Sequence, residues 1–265
     1  MTDRRLVGKT ALVSGSTAGI GYAIALGLAR DGARVWVNGR TQARVDAAIK
    51  NIRKEVTEAM VDGVAEDLGT TAGCERLVRR VPSVDVLVNN LGIFEPKPFE
   101  SIPDADWLRF FEVNVMSGVR LSRAYLPGMK QRKWGRIVFI SSESGAQIPA
   151  EMVHYGMTKT AQVAVARGIA ESCVGTGVTV NSVLAGPTAS EGVTTFVAEL
   201  AKQQKVTPAE FEKEFFQSVR PTSLLKRFLR PEEVANVVAF VCSPEAVAIN
   251  GAAVRAEGGV VKAIL

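Results

Sequence analysis

Short runs of Val, Ile, Leu and Ala alternate along this chain with longer stretches in which apolar residues recur at every third or fourth position. The short runs are Thr10–Ser14, Arg34–Asn38, Met60–Ala65, Val84–Asn89, Arg136–Ser141, Val178–Val183 and Ala252–Ala256. Most are apolar on both faces, the pattern of strands that helices cover from both sides. The longer stretches, near residues 19–31, 41–56, 70–81, 104–131, 151–174 and 231–243, are amphipathic with helical spacing. Strict alternation of the two predicts an α/β fold, a doubly wound parallel sheet of seven strands with helices on both faces. Some helix ends are marked explicitly. Thr207-Pro208-Ala209-Glu210 spells a capping box with proline at the first helical position, which predicts a helix running to about Val219. Pro231-Glu232-Glu233 opens another, with acids at its positive end, and Pro244 closes it. The segment from Ala189 to Leu229 falls outside the alternation.

Composition narrows the class. A hydrophobic content of 47% against 22% charged suits a sizeable core. No Pro/Ser/Gly-rich linker or low-complexity tract divides the 265 residues, so a single domain over 1–265 is expected. Met1-Thr2-Asp3-Arg4-Arg5 is not followed by the apolar run of a secretory signal, and Val234–Val241 is too short to span a bilayer. Cys74, Cys173 and Cys242 are odd in number and widely spaced, as expected of small core hydrophobes in a reducing compartment, so a cytoplasmic protein without membrane association is expected. A net charge of +5 raises the question of nucleic acid. The Lys and Arg are scattered and no recognition-helix or RNA-binding signature accompanies them, which argues against such a partner.

Candidate chemistry lies at two places. Tyr155 and Lys159 stand four residues apart in a helical stretch, with Ser142 thirteen residues before the tyrosine. Residues i and i+4 share a helix face, so the ammonium is expected to pull the phenol down towards neutrality, where it serves as a general acid/base. Ser142 follows the apolar run Ile137–Ile140, at the carboxyl end of a strand, where open α/β sheets bind ligands. A hydroxyl there can donate to a carbonyl oxygen that is gaining negative charge; Ser141 competes for the role. The second place is Ser14-Gly15-Ser16-Thr17-Ala18-Gly19-Ile20-Gly21, between a predicted strand and a predicted helix. A glycine-rich turn there lets the backbone approach a pyrophosphate, and the helix N-terminus offers N–H donors and a positive dipole end. His154 is the only histidine and points about 100° away from Tyr155 around a helix. One histidine gives no basis for a His-built metal site, and no G-x-S-x-G elbow suggests a hydrolase.

Taken in order, the glycine-rich turn, Asp67-Leu68, Asn89-Asn90-Leu91-Gly92, Asn114, Ile140-Ser141-Ser142, Tyr155/Lys159, Val180-Asn181-Ser182 and Gly186-Pro187-Thr188 give the chain its likeness to a known family. It resembles the short-chain dehydrogenase/reductases, in the subgroup of about 250 residues with Gly-x-x-x-Gly-x-Gly and Tyr-x-x-x-Lys. The resemblance runs from Leu6 to Gly259 and implies a Rossmann-type sheet. It implies a catalytic tetrad of Asn114, Ser142, Tyr155 and Lys159, with Asn114 and a water linking Lys159 into a proton relay. It also implies a pyrophosphate turn of Gly15, Ser16, Thr17, Gly19, Ile20 and Gly21, and adenine contacts from Asp67 and Leu68. Asn90 and Gly92 would lie beside the adenosine ribose, Tyr155 and Lys159 at the nicotinamide ribose, and Gly186, Pro187 and Thr188 at the carboxamide. Leu91 and Ala185 depart from the family's usual alanine and proline. By the same resemblance, residues 189–229 form a helical lid over the substrate; separately, the apolar residues Phe94, Ile148, Met152, Val193, Phe196 and Val197 suggest an apolar pocket, with core packing as the alternative.

Cofactor choice hangs on the end of the second strand. An acid there accepts hydrogen bonds from the adenosine 2′-hydroxyl and repels a 2′-phosphate. This chain reads Val37-Asn38-Gly39-Arg40-Thr41, with Gly39 where NAD-dependent relatives place aspartate. An arginine at position 40 can pair with a phosphate, and Asn38 and Thr41 can add neutral hydrogen bonds. The family's other basic position holds Ala18. NADP(H) is therefore favoured, with NAD(H) as the alternative. The expected activity is hydride transfer between a ketone or aldehyde and an alcohol, with Tyr155 as acid/base. A sugar-nucleotide epimerase fits less well, since the chain lacks a G-x-x-G-x-x-G turn, and a non-catalytic dinucleotide-binding regulator is the other rival. Phe110, Val113, Val115, Met116 and Val119 ring their helix and call for cover on more than one side. The resemblance implies a homotetramer, or a dimer.

Overall fold

A computed structural model describes residues 4–264, apart from the side chains at 196, 200, 203 and 204; the reading of Met1-Thr2-Asp3 and the pocket role of Phe196 fall outside the described residues. Strands and helices follow one another as β1 (Thr10–Val13), α1 (Gly19–Arg30), β2 (Arg34–Gly39), α2 (Gln42–Glu55), β3 (Val61–Ala65), α3 (Thr71–Arg80) and β4 (Val86–Asn89). Then come α4 (Asp104–Phe111), α5 (Ser117–Gln131), β5 (Gly135–Ser142), α6 (Val153–Glu171), β6 (Val178–Ala185), α7 (Glu191–Gln204), α8 (Pro208–Ser218), α9 (Pro231–Cys242) and β7 (Ala253–Ala256). The strands form one parallel sheet in the order β3-β2-β1-β4-β5-β6-β7. Strand order reverses between β1 and β4, and a crevice opens outside the carboxyl ends of strands at such a point.

Side chains alternate between two cores. Val13, Val37, Val88 and Ile140 pack under α1, α2 and α9, against Ile24, Leu28, Ile52, Val234 and Val238. Leu12, Leu87 and Phe139 face α3, α5 and α6, against Leu77, Leu121, Tyr125 and Ala170. Every residue of β5 and β6 is buried, which is why those two runs show so few polar interruptions. Cys74, Cys173 and Cys242 are buried free thiols, as expected of core hydrophobes.

The structure departs from the sequence expectations at several elements. The stretch 104–131 is not one regular helix: Glu112–Met116 form a π-helical turn between α4 and α5. Residues 191–204, outside the regular alternation, form α7, and α8 begins at the foreseen capping box. Phe110 and Val115 are covered by their own chain, so their apolarity needs no partner subunit; Leu108 and Phe111 are the exposed apolar residues of that region. Among the described residues no helix is long and apolar enough to cross a membrane.

Candidate active site

The carboxyl end of β5 delivers Ser142, and the first two turns of α6 deliver Tyr155 and Lys159. Lys159 is buried. Its Nζ lies 5.6 Å from the Tyr155 ring centroid and donates to the Ile140 carbonyl at 2.9 Å. Burial holds its pKa down to about 8. The expected lowering of the Tyr155 pKa is absent. Burial, and then the charge of Glu143, push the phenol up, against smaller lowering effects of hydrogen bonding with Ser142 and of Arg220. The two serines make different bonds. Ser141 Oγ donates to the Lys159 carbonyl at 2.8 Å and braces α6. Ser142 Oγ donates to the Glu143 carboxylate and accepts from Ser144 N at 3.1 Å.

Asn114 sits in the π-helical turn, where the register slip changes its place in the backbone ladder. Its carbonyl accepts from Gln162 Nε2 at 2.6 Å. Its side chain clamps Ile93, accepting from Ile93 N at 2.8 Å and donating to Ile93 O at 3.0 Å, and also donates to Thr158 Oγ1 at 3.0 Å. These direct bonds satisfy the Asn114 amide and its backbone carbonyl within the chain. A Cβ added to Gly92 would lie 3.4 Å from Lys159 Nζ and 3.5 Å from Asn114 Oδ1, so these groups converge. His154 faces away, its ring 4.1 Å from that of Phe110 and 6.0 Å from that of Trp107, and burial lowers its pKa.

The glycine-rich turn fits a dinucleotide. Gly15 and Gly19 have φ of 60° and 57°, a region that favours glycine. A Cβ on Gly21 would overlap Asn90 Nδ2 and the Gly15 carbonyl. Ala18 caps α1 without a side-chain hydrogen bond, and the first turn holds no acid, so its N–H groups remain donors for an anion. Ser16 Oγ is turned inward, to the Val13 carbonyl at 2.7 Å. Asn90 donates to the carbonyls of Ser14 and Gly15, both at 3.0 Å, and so ties the end of β4 to the turn. Asn38 differs from the expectation. Its Oδ1 accepts from Gly15 N at 3.1 Å and its Nδ2 donates to the carbonyls of Val64 and Glu66, so its amide braces the turn from within.

The adenosine end carries the charge difference. Thr17 packs against Gly39, and a Cβ at position 39 would overlap the Thr17 methyl. Arg40 is exposed and has no carboxylate partner among the described residues, whereas Arg44, one helical turn on, pairs with Glu191 at 2.8 Å. Thr41 is the N-cap of α2 and makes no side-chain cap bond. Asp67 is exposed and accepts from Gly69 N at 2.9 Å, beside the buried Leu68. At the other end Thr188 is buried and donates to the Gly186 carbonyl at 2.8 Å, while Leu229 N donates to the Pro187 carbonyl.

A cavity of about 580 Å³ lies against Ile20 of α1 and the carboxyl ends of β4, β5 and β6. Asn90, Gly92, Ser142, Tyr155, Lys159 and Thr188 line one side. Phe94, Met152, Val193 and Val197 contribute the apolar wall expected of them, joined by Phe211, Phe215 and Phe228; Ile148 lies outside, half exposed. Sequence reasoning missed the charged group beside Ser142. Glu143 is buried and accepts from Ser144 N at 2.7 Å, Ser144 Oγ at 3.0 Å and Arg220 Nε at 2.8 Å. Arg220 Nη1 donates to Glu151 at 3.0 Å. A carboxylate directly after Ser142 was a usable signal. Arg220 lies 77 residues away and carried none.

Comparison with known proteins places this geometry. The family model described as short chain dehydrogenase matches residues 9–201. The uncharacterized oxidoreductase YvaG of Bacillus subtilis is 50% identical over 259 residues, covering 98% of each chain. D-beta-hydroxybutyrate dehydrogenase of Cupriavidus necator is 33% identical, covering 96% of this chain and 98% of the relative. Among solved structures, the L-sorbose reductase of Gluconobacter frateurii, complexed with NADPH and L-sorbose, superposes with a TM-score of 0.91 at 30% identity, covering 99% of this chain and 100% of that one.

Proposed function

The chain belongs to the short chain dehydrogenase family, and from that premise we propose that it interconverts a ketone or aldehyde and the corresponding alcohol, with NADP(H) the favoured cofactor and Tyr155 the acid/base. It is an oxidoreductase acting on CH–OH groups of small molecules with NAD(P). The observation that carries the reading is the convergence of Ser142, Tyr155 and Lys159 on one cavity that also reaches Ile20, in the first turn of the uncapped helix α1. When bound, NADP(H) supplies or takes the hydride. The chain's own residues do the rest. In reduction, Ser142 and Tyr155 hold the carbonyl oxygen, and Tyr155 gives it a proton as negative charge develops. Lys159 lies behind the phenol, and Asn114 fixes Ile93 and Thr158 around it. Phe94, Phe211, Phe215 and Phe228 give the cavity an apolar wall beside the reacting atoms.

The pyrophosphate would rest on Gly15, Ser16, Thr17, Gly19, Ile20 and Gly21, with Asp67, Leu68, Asn90 and Gly92 along the adenosine and Gly186, Pro187 and Thr188 at the carboxamide. Preference for NADP(H) is supported by the exposed guanidinium of Arg40, which has no carboxylate partner among the described residues, and by Thr17, which fills the space an aspartate at position 39 would need. The NADPH complex of the sorbose reductase is consistent with it. We take 1–265 as one domain with 189–229 as its lid, in a cytoplasmic homotetramer or dimer whose interface uses the exposed Leu108 and Phe111. Calorimetric titration tests the cofactor assignment. Wild type should bind NADP(H) more tightly than NAD(H), and Arg40→Ala should weaken NADP(H) about tenfold or more, a loss of roughly 1.4 kcal/mol, with little change for NAD(H). Equal wild-type affinities would contradict the assignment.

A further inference from the structure

A buried ion pair stands beside the reacting hydroxyls, and the hydride-transfer scheme makes no use of it. Glu143 is 4% exposed and Arg220 is 8% exposed. Removing two charges from water costs as much as their attraction returns, so such pairs contribute little stability; their best-attested use is to fix a register or operate a switch. Ser142 supplies a reason for this one. A serine hydroxyl has one proton to donate, and here it goes to the Glu143 carboxylate. A substrate oxygen and the Tyr155 phenolate need that same proton during catalysis. Glu143 therefore competes with both, and Arg220, donating to the other carboxylate oxygen at 2.8 Å, weakens the competitor.

We propose that Arg220 and Glu143 form a positioning pair that sets how tightly Ser142 and Tyr155 hold their protons, and that the α7–α8 arm acts on the reacting atoms through it. Arg220 is tied to that arm. Its backbone N donates to the Phe215 carbonyl at 2.9 Å, and its guanidinium lies 5.9 Å from the Phe215 ring centroid. Glu143 directly follows the end of β5, so the pair bridges arm and sheet. With the arm seated, Arg220 neutralises the carboxylate and weakens its hold on the Ser142 proton, which a substrate oxygen can then take over. With the arm displaced, Glu143 keeps that proton and its charge opposes formation of the tyrosinate. Other charged groups lining the cavity are Lys159 from α6, Glu151 from the turn before it and Glu214 from α8. Glu151 shares Arg220, while Lys159 bonds to the Ile140 carbonyl.

The inference rests on Tyr155 as acid/base, and the test separates the two claims. In alcohol oxidation the acid limb of the kcat/KM profile reports loss of the Tyr155 proton. Glu143→Gln removes a negative charge that opposes the tyrosinate, so the limb should move down by about one pH unit. Arg220→Met leaves that charge unopposed, so the limb should move up by a similar amount. In the double variant the two effects should largely cancel, and Arg220→Lys should stay near wild type. A packing role would lower activity without moving the limbs in opposite directions. Circular dichroism and nucleotide affinity control for folding, and should Arg220→Met not fold, Glu143→Gln decides. Limbs that coincide with wild type, or that move the same way, overturn the proposal. A Tyr155→Phe enzyme that still turns over overturns the acid/base assignment instead.

Discussion

Lys159 holds an ammonium where charge is disfavoured. Burial lowers its pKa from 10.5 to about 8. Between those values the unfolded chain binds more protons than the folded one, so this group makes stability rise with pH from about 8 to about 10.5. Below pH 8 its full cost is present, on the order of 3 kcal/mol. Lys159→Met should therefore abolish turnover yet raise the melting temperature at pH 7 without added nucleotide, with a smaller gain at pH 9.5. A lower melting temperature at pH 7 would show that the bond to the Ile140 carbonyl outweighs the burial. Ser142, Tyr155 and Lys159 were singled out through their spacing and the family resemblance, and the fold brings all three to the lining of one cavity. The direction of the Tyr155 shift was not legible. It depends first on burial and then on the charge of Glu143, and both are set only by the fold. Asn38 misled for a similar reason, since a buried amide and a surface amide look alike until its partners at Gly15, Val64 and Glu66 are known.

Helix α8 shows what a local signal can carry. Thr207 Oγ1 accepts from Glu210 N at 3.3 Å, and Glu210 accepts from Thr207 N at 2.8 Å. Both halves of the box were readable from four residues. Thr207→Ala should cost about 1 kcal/mol of helix stability. Because α8 lines the cavity, we expect faster amide exchange across 208–218 and a raised KM with kcat less affected. Unchanged exchange in that segment would remove α8 as the adjustable part. The π-helical turn at Glu112–Met116 was not legible. One inserted residue shifts the apolar stripe by about 100°, and in a stretch apolar around much of its circumference the slip leaves no trace. Helix α7 was foreseen only through family resemblance, since Gly192, Val193, Thr194 and Thr195 at its start are weak helix formers.

At the scale of the molecule the sheet was legible because burial on both faces writes its strands as apolar runs, and strict alternation with helices leaves parallel winding as the natural topology. Association was less so. Phe110 and Val115 suggested an interface and proved to be covered within the chain, while Leu108 and Phe111 remain open. Light scattering at micromolar concentration should give the mass of a tetramer or dimer, and a monomer mass would remove the interface. The central claim is hydride transfer to a carbonyl under control of Tyr155. Its most direct test is to supply NADPH deuterated at the transferring C4 position with a ketone that the protein turns over, and to weigh the alcohol. Wild type should place one deuterium on the carbinol carbon. Tyr155→Phe, folded and binding nucleotide, should form almost none, since general acid catalysis is worth about 10²–10⁴-fold. Alcohol without deuterium, or a phenylalanine variant that keeps more than about a tenth of the rate, well outside that range, would contradict the account.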